Sequence, residues 1–276
     1  MILSGFGDEI SDDLNEQLRV MSEEGLRYLE LRGVWGKNVL QLTDEEAKKV
    51  KHILMDYNFK ISAIGSPIGK IGINDDFAEH LRNFKRTLEL AKFFETHYIR
   101  IFSYYIPEGE RPEKYRDEVI KRMEKKVQWA EREDVILVHE NERGIYGDIP
   151  ERCRDILSTI DSPYLRANFD PANFVFENVK PYQEAFPLLE EFTSYVHIKD
   201  ALHRQEKVIC VPAGEGEAEV KEVLKALRDN GYQGFLSLEP HLAEAGQYRG
   251  FSGPDKFREA ATALKKILDE LNIDYS

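Results

Sequence analysis

Eight short runs of apolar and β-branched residues recur along the chain, each followed by a longer segment with helical spacing. A pitch of about 30 residues between runs is that of repeated βα units. The runs lie near Ile2 to Phe6, Tyr28 to Arg32, Lys60 to Ile64, Tyr98 to Ser103, Val135 to Glu140, Tyr164 to Phe169, Ser194 to Ile198 and Phe235 to Glu239. Eight such strands close a barrel, so the expected fold is α/β, a single (β/α)8 TIM barrel with residues 1–276 as one domain. The intervening segments carry their own signals. Thr43-Asp44-Glu45-Glu46 reads as a helix cap with an acidic first turn, and Leu81, Phe84, Leu88 and Ala91 keep one apolar stripe. Glu24-Gly25 and Asn230-Gly231 punctuate helix ends, where a positive φ is needed. No linker, low-complexity tract or second domain interrupts the pattern.

The longest connections follow strands rather than precede them: Gly33 to Leu42, Gly65 to Asp75, Tyr104 to Tyr115, Asn141 to Ile149, His203 to Gly216 and Pro240 to Pro254. In this architecture that is the face on which functional loops lie. The last four strands also end in potential ligands, in Val138-His139-Glu140-Asn141, Asn168-Phe169-Asp170-Pro171, Tyr195-Val196-His197-Ile198 and Ser237-Leu238-Glu239-Pro240. Alternation along Val135 to Glu140 turns Glu140 to the barrel axis and His139 to the helical layer. Taken singly, a Glu after a strand is ordinarily a solvated loop residue, Asp-Pro a turn, and a lone His a core residue. Four in order on successive strands point to one divalent ion held by Glu140, Asp170, His197 and Glu239. Three carboxylates and one imidazole suit Mn²⁺ first, with Mg²⁺, Co²⁺ and Zn²⁺ as alternatives.

Composition narrows the classes of function. The chain has 276 residues, 42% of them hydrophobic, enough for a full core. Its 38 basic against 51 acidic residues give a formal charge of -13, which argues against nucleic acid or anionic membrane as a partner. Cys153 and Cys210 form no CxxC pair, so neither a thiolate site nor a disulfide framework is expected, and a reducing cytoplasm is the expected location. The N-terminus lacks the basic start and apolar stretch of a signal peptide, and no run of about 18 apolar residues suggests a membrane span.

Glu140-Asn141, Asp170-Pro171-Ala172-Asn173-Phe174, His197-Ile198-Lys199-Asp200, Gly214-Glu215-Gly216 and Ser237-Leu238-Glu239-Pro240 resemble the strand-end motifs of the xylose isomerase-like TIM barrels. That superfamily includes sugar and sugar-phosphate isomerases and epimerases. Asp8-Glu9-Ile10 and Glu30-Leu31-Arg32 match the same pattern, so the resemblance covers nearly the whole chain. It implies a metal-dependent isomerase or epimerase acting on a small carbohydrate through a cis-enediolate, with Glu140 and Glu239 both holding the ion and moving protons. A homo-oligomer, as a dimer, is an expectation resting on the resemblance alone. One departure concerns position 173, where many members have a His that contacts substrate and this chain has Asn173, which can donate a hydrogen bond but cannot act as an acid.

Other residues at or just beyond strand ends are candidates to hold the sugar hydroxyls or a phosphate. On the first half of the barrel these are Arg32, Trp35, Ser66, Lys70, Arg100, Ser103 and Tyr104; on the second, Arg143, Asn173, Lys199 and His241. The basic ones have the alternative of pairing with the protein's own carboxylates. Gly65-Ser66-Pro67-Ile68-Gly69-Lys70 lacks the spacing of a nucleotide phosphate loop and reads as a substrate loop. Three other readings are weighed against the isomerase. A keto-polyol dehydratase would use the same enediolate to expel a hydroxyl; a three-zinc apurinic endonuclease needs His ligands where strands 3 and 4 end near Ser66 and Ser103; an inactive binding barrel would have lost a ligand, and all four are present.

Overall fold

The computed structural model describes residues 1–243 and 252–276. Eight parallel strands close a barrel: β1 (Ile2–Phe6), β2 (Tyr28–Leu31), β3 (Lys60–Ile64), β4 (Tyr98–Ile101), β5 (Ile136–Glu140), β6 (Leu165–Phe169), β7 (Thr193–Ile198) and β8 (Phe235–Leu238). Each pairs with its neighbours in sequence, and β1 pairs with β8 to complete the ring. The outer layer comprises α1 (Leu14–Glu23), α2 (Asp44–Asp56), α3 (Phe77–Phe94), α4 (Arg116–Arg132), α5 (Pro150–Ile160), the short α6 (Pro171–Val175) and α7 (Phe186–Leu189), then α8 (Val220–Asp229) and α9 (Gly253–Glu270). The expected capping box is present at Thr43, whose hydroxyl accepts from the Glu46 amide while the Glu46 carboxylate accepts from the Thr43 amide. Gly25 and Gly231 adopt the positive φ expected past α1 and α8. Among the described residues no helix is long and apolar enough to cross a membrane.

Period-two alternation builds two different cores. Outward positions such as Leu3, Leu29, Leu137 and Leu236 pack against the helices in one continuous apolar layer. Inward positions form a small separate cluster of Ala63, Val138 and Tyr195, flanked by Tyr98, Ile136 and Phe235. One step further up the same inward rows the residues become Glu30, Arg100, Glu140, Asn168 and His197, all buried. The barrel interior is therefore largely aromatic and apolar below, with a hydrogen-bonded chain of Ser4, Ser62 and the Tyr195 hydroxyl running through it, and ionic at its carboxyl end.

Two connections depart from the sequence reading. The stretch expected as loop from His203 to Gly216 is largely a hairpin, Asp200–Arg204 against Lys207–Val211, because the run Val208-Ile209-Cys210-Val211 is strand-forming and Gln205 adopts φ 57° in its tight turn. A smaller hairpin pairs Gly33–Val34 with Lys37–Asn38. Of the expected Pro240 to Pro254 loop, residues 244–251 lie outside the described residues.

His139 faces the helices as the alternation requires, and the layer it enters is unusual. Lys126 of α4 is fully buried there, its Nζ 3.5 Å from the Phe102 carbonyl and 4.7 Å from the centre of the Tyr104 ring. Burial, with the Arg122 guanidinium nearby, brings the lysine down to about 7; burial and Lys126 hold His80 and His139 at about 3. An unfolded lysine keeps its proton to about 10.4. Between those values the unfolded chain binds a proton that the folded one does not, so stability falls as pH drops from about 10 to 7 and the whole penalty remains below that. Lys126→Met should therefore raise stability at pH 7 by about 2–4 kcal/mol, less at pH 10. Urea unfolding at the two pH values measures this, and a variant less stable than wild type at pH 7 contradicts it.

Candidate metal centre

The four expected ligands come together at the floor of the barrel mouth. Glu140 is the last residue of β5, His197 lies in β7, and Asp170 and Glu239 immediately follow β6 and β8. One ligand atom from each lies within 4.8 Å of the others. His197 Nδ1 stands 3.4 Å from Glu140 Oε1, 3.2 Å from Glu239 Oε2 and 3.9 Å from Asp170 Oδ2. Adjacent ligands of an octahedral ion with bonds near 2.1 Å are separated by about 3 Å, so a slight contraction would close the set around a divalent cation.

Local structure fixes each side chain. Asp170 caps α6 by accepting from the Asn173 amide through Oδ1, which leaves Oδ2 for the cluster. Asn141 locks the β5 and β6 exits together, donating to the Asp170 carbonyl at 2.9 Å and accepting from its amide at 3.0 Å. Asn173 donates to Glu140 Oε1 at 3.2 Å and to the Asn141 carbonyl at 2.8 Å. Glu140 Oε2, Asp170 Oδ2 and Glu239 Oε2 are buried oxygens that accept no hydrogen bond, although cations lie close. Such oxygens, beside an imidazole, are a donor set suited to a hard or borderline divalent metal.

Four cationic side chains surround the carboxylates. Arg100 bridges Glu140 at 3.2 Å and Glu239 at 3.9 Å, and Lys199 contacts Asp170 at 2.7 Å and Glu239 at 3.6 Å. Arg32 joins Glu239 to Asp8 and Glu9, while His241 lies 3.1 Å from Glu9 and 3.4 Å from Glu239. Burial alone would protonate Glu140, but His197 and Arg100 outweigh it and hold the carboxyl at about 2. Burial likewise opposes ionisation of Glu239, and Lys199 together with the nearby His197 and His241 rings keeps it well below the usual range. Asp170 is raised to about 6 by burial and by Glu140 and Glu239, against the pull of Lys199. Burial opposes charge on His197, yet Glu140 and Glu30 raise it well above an ordinary histidine. Without metal, the ring thus carries the positive charge that the acids require.

A model of the family described as xylose isomerase-like TIM barrel matches residues 18–267. The chain belongs to that family. Solved structures with the same fold include the probable 3-DHS dehydratase AsbF of Bacillus anthracis, 19% identical, with a TM-score of 0.76, covering 96% of this chain and 99% of that one. A D-tagatose 3-epimerase-like protein is also 19% identical, with a TM-score of 0.76, over 99% and 98% of the two chains. The IOLI protein, solved with a zinc atom, is 15% identical, with a TM-score of 0.78, over 98% and 99%. No curated protein matches the sequence.

Within this member of the xylose isomerase-like family, the mouth is a cavity of about 860 Å³. Arg32, Lys70, Arg100, Arg143, Asn173, Lys199 and His241 line it, together with Glu239. The other expected substrate contacts are elsewhere. Trp35 sits at φ 54° in the small hairpin and packs beneath Lys49 of α2, 4.7 Å from its ring centre. The Ser66 hydroxyl donates to the Arg100 carbonyl and Ser103 accepts from the Gly147 amide, so each ties two strand exits together. Tyr104 is buried against His80 and Lys126. Gly69 has φ 97° with the Phe102 backbone where a Cβ would stand, so only glycine lets this loop press onto the β4 exit and bring Lys70 to the mouth. Lys70 there pairs with Glu142 at 2.7 Å.

Sequence reasoning assigned no role to Glu30 and Asn168, both of which stand against His197. The available signal was a polar residue at an inward, otherwise apolar strand position. Glu9, Glu239 and His241 form a second close acidic group, with Arg32 among them.

Proposed function

We propose that this chain is a metal-dependent sugar or sugar-phosphate isomerase or epimerase, with Glu140, Asp170, His197 and Glu239 holding Mn²⁺ or a similar divalent ion. The observation that carries the reading is the pair Glu140 and Glu239, which reach His197 Nδ1 from the ends of β5 and β8 and each hold a buried oxygen with no hydrogen bond, with Glu239 lining the cavity at the barrel mouth. When bound, the ion supplies Lewis-acid stabilisation of the enediolate oxygens, worth several kcal/mol. The protein's own groups do the rest.

Both glutamates are ionised, as a base must be. One takes the proton from the carbon beside the carbonyl; the other, ionised at rest, takes up a proton from water and passes it to the opposite face, which inverts the stereocentre, while the first returns its proton to water; return by the first to the neighbouring carbon exchanges aldose and ketose. Arg100 and Lys199 limit the repulsion between the acids and stand where a sugar oxygen would receive a hydrogen bond. Asn173 holds Glu140 in place, while Arg32 and His241 do the same for Glu239. Lys70 is placed at the rim for a hydroxyl or phosphate.

The test is incubation with Mn²⁺ and a panel of ketoses, aldoses, their phosphates and keto-inositols in D₂O, read by NMR and mass spectrometry. The expected result is an isomeric product carrying solvent deuterium beside the carbonyl. A metal-dependent product lighter by one water, as the dominant outcome, overturns the isomerase in favour of a dehydratase.

A further inference from the structure

We infer that Glu30 is a positioning residue, a buried carboxylate behind His197 that holds the imidazole with its Nε2 hydrogen turned inward and its Nδ1 lone pair presented to the metal. The inference rests on the metal reading above. His197 is fully buried, and its two nitrogens face different acids. Nδ1 faces Glu140 and Glu239, at 3.4 and 3.2 Å; Nε2 lies 3.2 Å from Glu30 Oε2 and 3.4 Å from Oε1. A carboxylate oxygen accepts, so the hydrogen bond that this contact allows has Nε2 donating to Glu30. In the neutral ring the other nitrogen then has the lone pair a metal requires.

Glu30 is an expensive residue to keep. It is completely buried, and among the described residues the ion pair it makes is with His197 rather than with a lysine or arginine. A buried ion pair of this kind returns little more than its desolvation costs, so an apolar side chain of similar volume would serve stability as well. The surroundings bear on the geometry: the Phe6 ring packs edge-on against His197, centres 5.1 Å apart, and Asn168 Nδ2 stands 2.9 Å from Nε2 while its Oδ1 is buried with no partner, so an Nε2 hydrogen requires the amide turned over, with Oδ1 accepting from Nε2. The β2–β3 ladder shifts register between Leu29 and Glu30, and the β6–β7 ladder between Ala167 and Asn168. Irregularities of this kind re-aim side chains beside functional sites, and both flank the residues that touch Nε2.

Two measurements test the role. In ¹⁵N-histidine-labelled wild type loaded with diamagnetic Zn²⁺, NMR should show the His197 proton on Nε2 and none on Nδ1. Glu30→Gln keeps an acceptor but no charge, and Glu30→Leu removes both. Mn²⁺ affinity, titrated against a chelator, should fall in that order, by about 10–100-fold for the second, while the metal-free melting temperature does not drop. A proton on Nδ1, or wild-type Mn²⁺ affinity in both variants, overturns the role of Glu30 and leaves the metal reading standing. Absence of metal binding by wild type itself overturns both. If Glu30→Leu fails to fold, Glu30→Gln and the wild-type spectrum still decide.

Discussion

Glu140→Gln and Glu239→Gln should each lower turnover on the responsive sugar by about a hundredfold or more, the range that general acid–base groups contribute. Glutamine keeps the side-chain volume and one oxygen able to approach the ion, but it cannot take up a proton. Neither change should empty the site, because Asp170 and His197 remain and Asn173 still has an acceptor at position 140. The two variants should differ in what survives. If each glutamate serves one face of the substrate, removing one leaves proton exchange on the other face intact. Each variant should then exchange solvent deuterium into one epimer of a pair while failing to interconvert them. Steady-state turnover together with deuterium uptake into each epimer measures both effects. Near-normal turnover in either variant removes that glutamate from proton transfer.

The barrel was legible because its strands are short and repeated, and because residues along each strand alternate between the helical layer and the barrel axis with a period of two. Glu140, Asp170, His197 and Glu239 could be placed at one mouth since every parallel strand delivers its last inward residue to the same end. Residues beyond a strand end were harder, since sequence fixes their height on the barrel but not their direction. Ser66 and Ser103 lie at the right height, yet a hydroxyl on so short a stem reaches the nearest backbone group before it reaches the cavity. Trp35 turned away because the chain reverses in a two-residue turn there, which the run Gly33-Val34-Trp35-Gly36 did not announce as a hairpin. Glu30 was quoted within a motif without a role. Its partner His197 is 167 residues away, and only barrel closure brings the two together.

Metal removal should destabilise the fold, and the size of that effect should separate the ligands from their neighbours. At 100 times its dissociation constant a bound ion adds about 2.7 kcal/mol, so Mn²⁺ should raise the wild-type melting temperature by about 5 °C or more and EDTA should reverse it. Asp170→Ala and His197→Ala should abolish that increment. Their absolute melting temperatures are poor guides, because each residue also has a structural task. Asp170 caps α6, and losing a cap costs about 1 kcal/mol. His197 carries the positive charge between Glu30, Glu140 and Glu239, so its removal leaves buried acids facing one another. The informative quantity is therefore the difference between melting with Mn²⁺ and with EDTA, taken within each variant. Lys199→Met provides the contrasting case, since it removes a cation 2.7 Å from Asp170 and should strengthen the demand for a metal there rather than weaken it. An Mn²⁺ increment in Lys199→Met at least as large as in wild type, beside none in Asp170→Ala, is the expected pattern; equal melting of wild type with Mn²⁺ and with EDTA would remove the metal centre altogether.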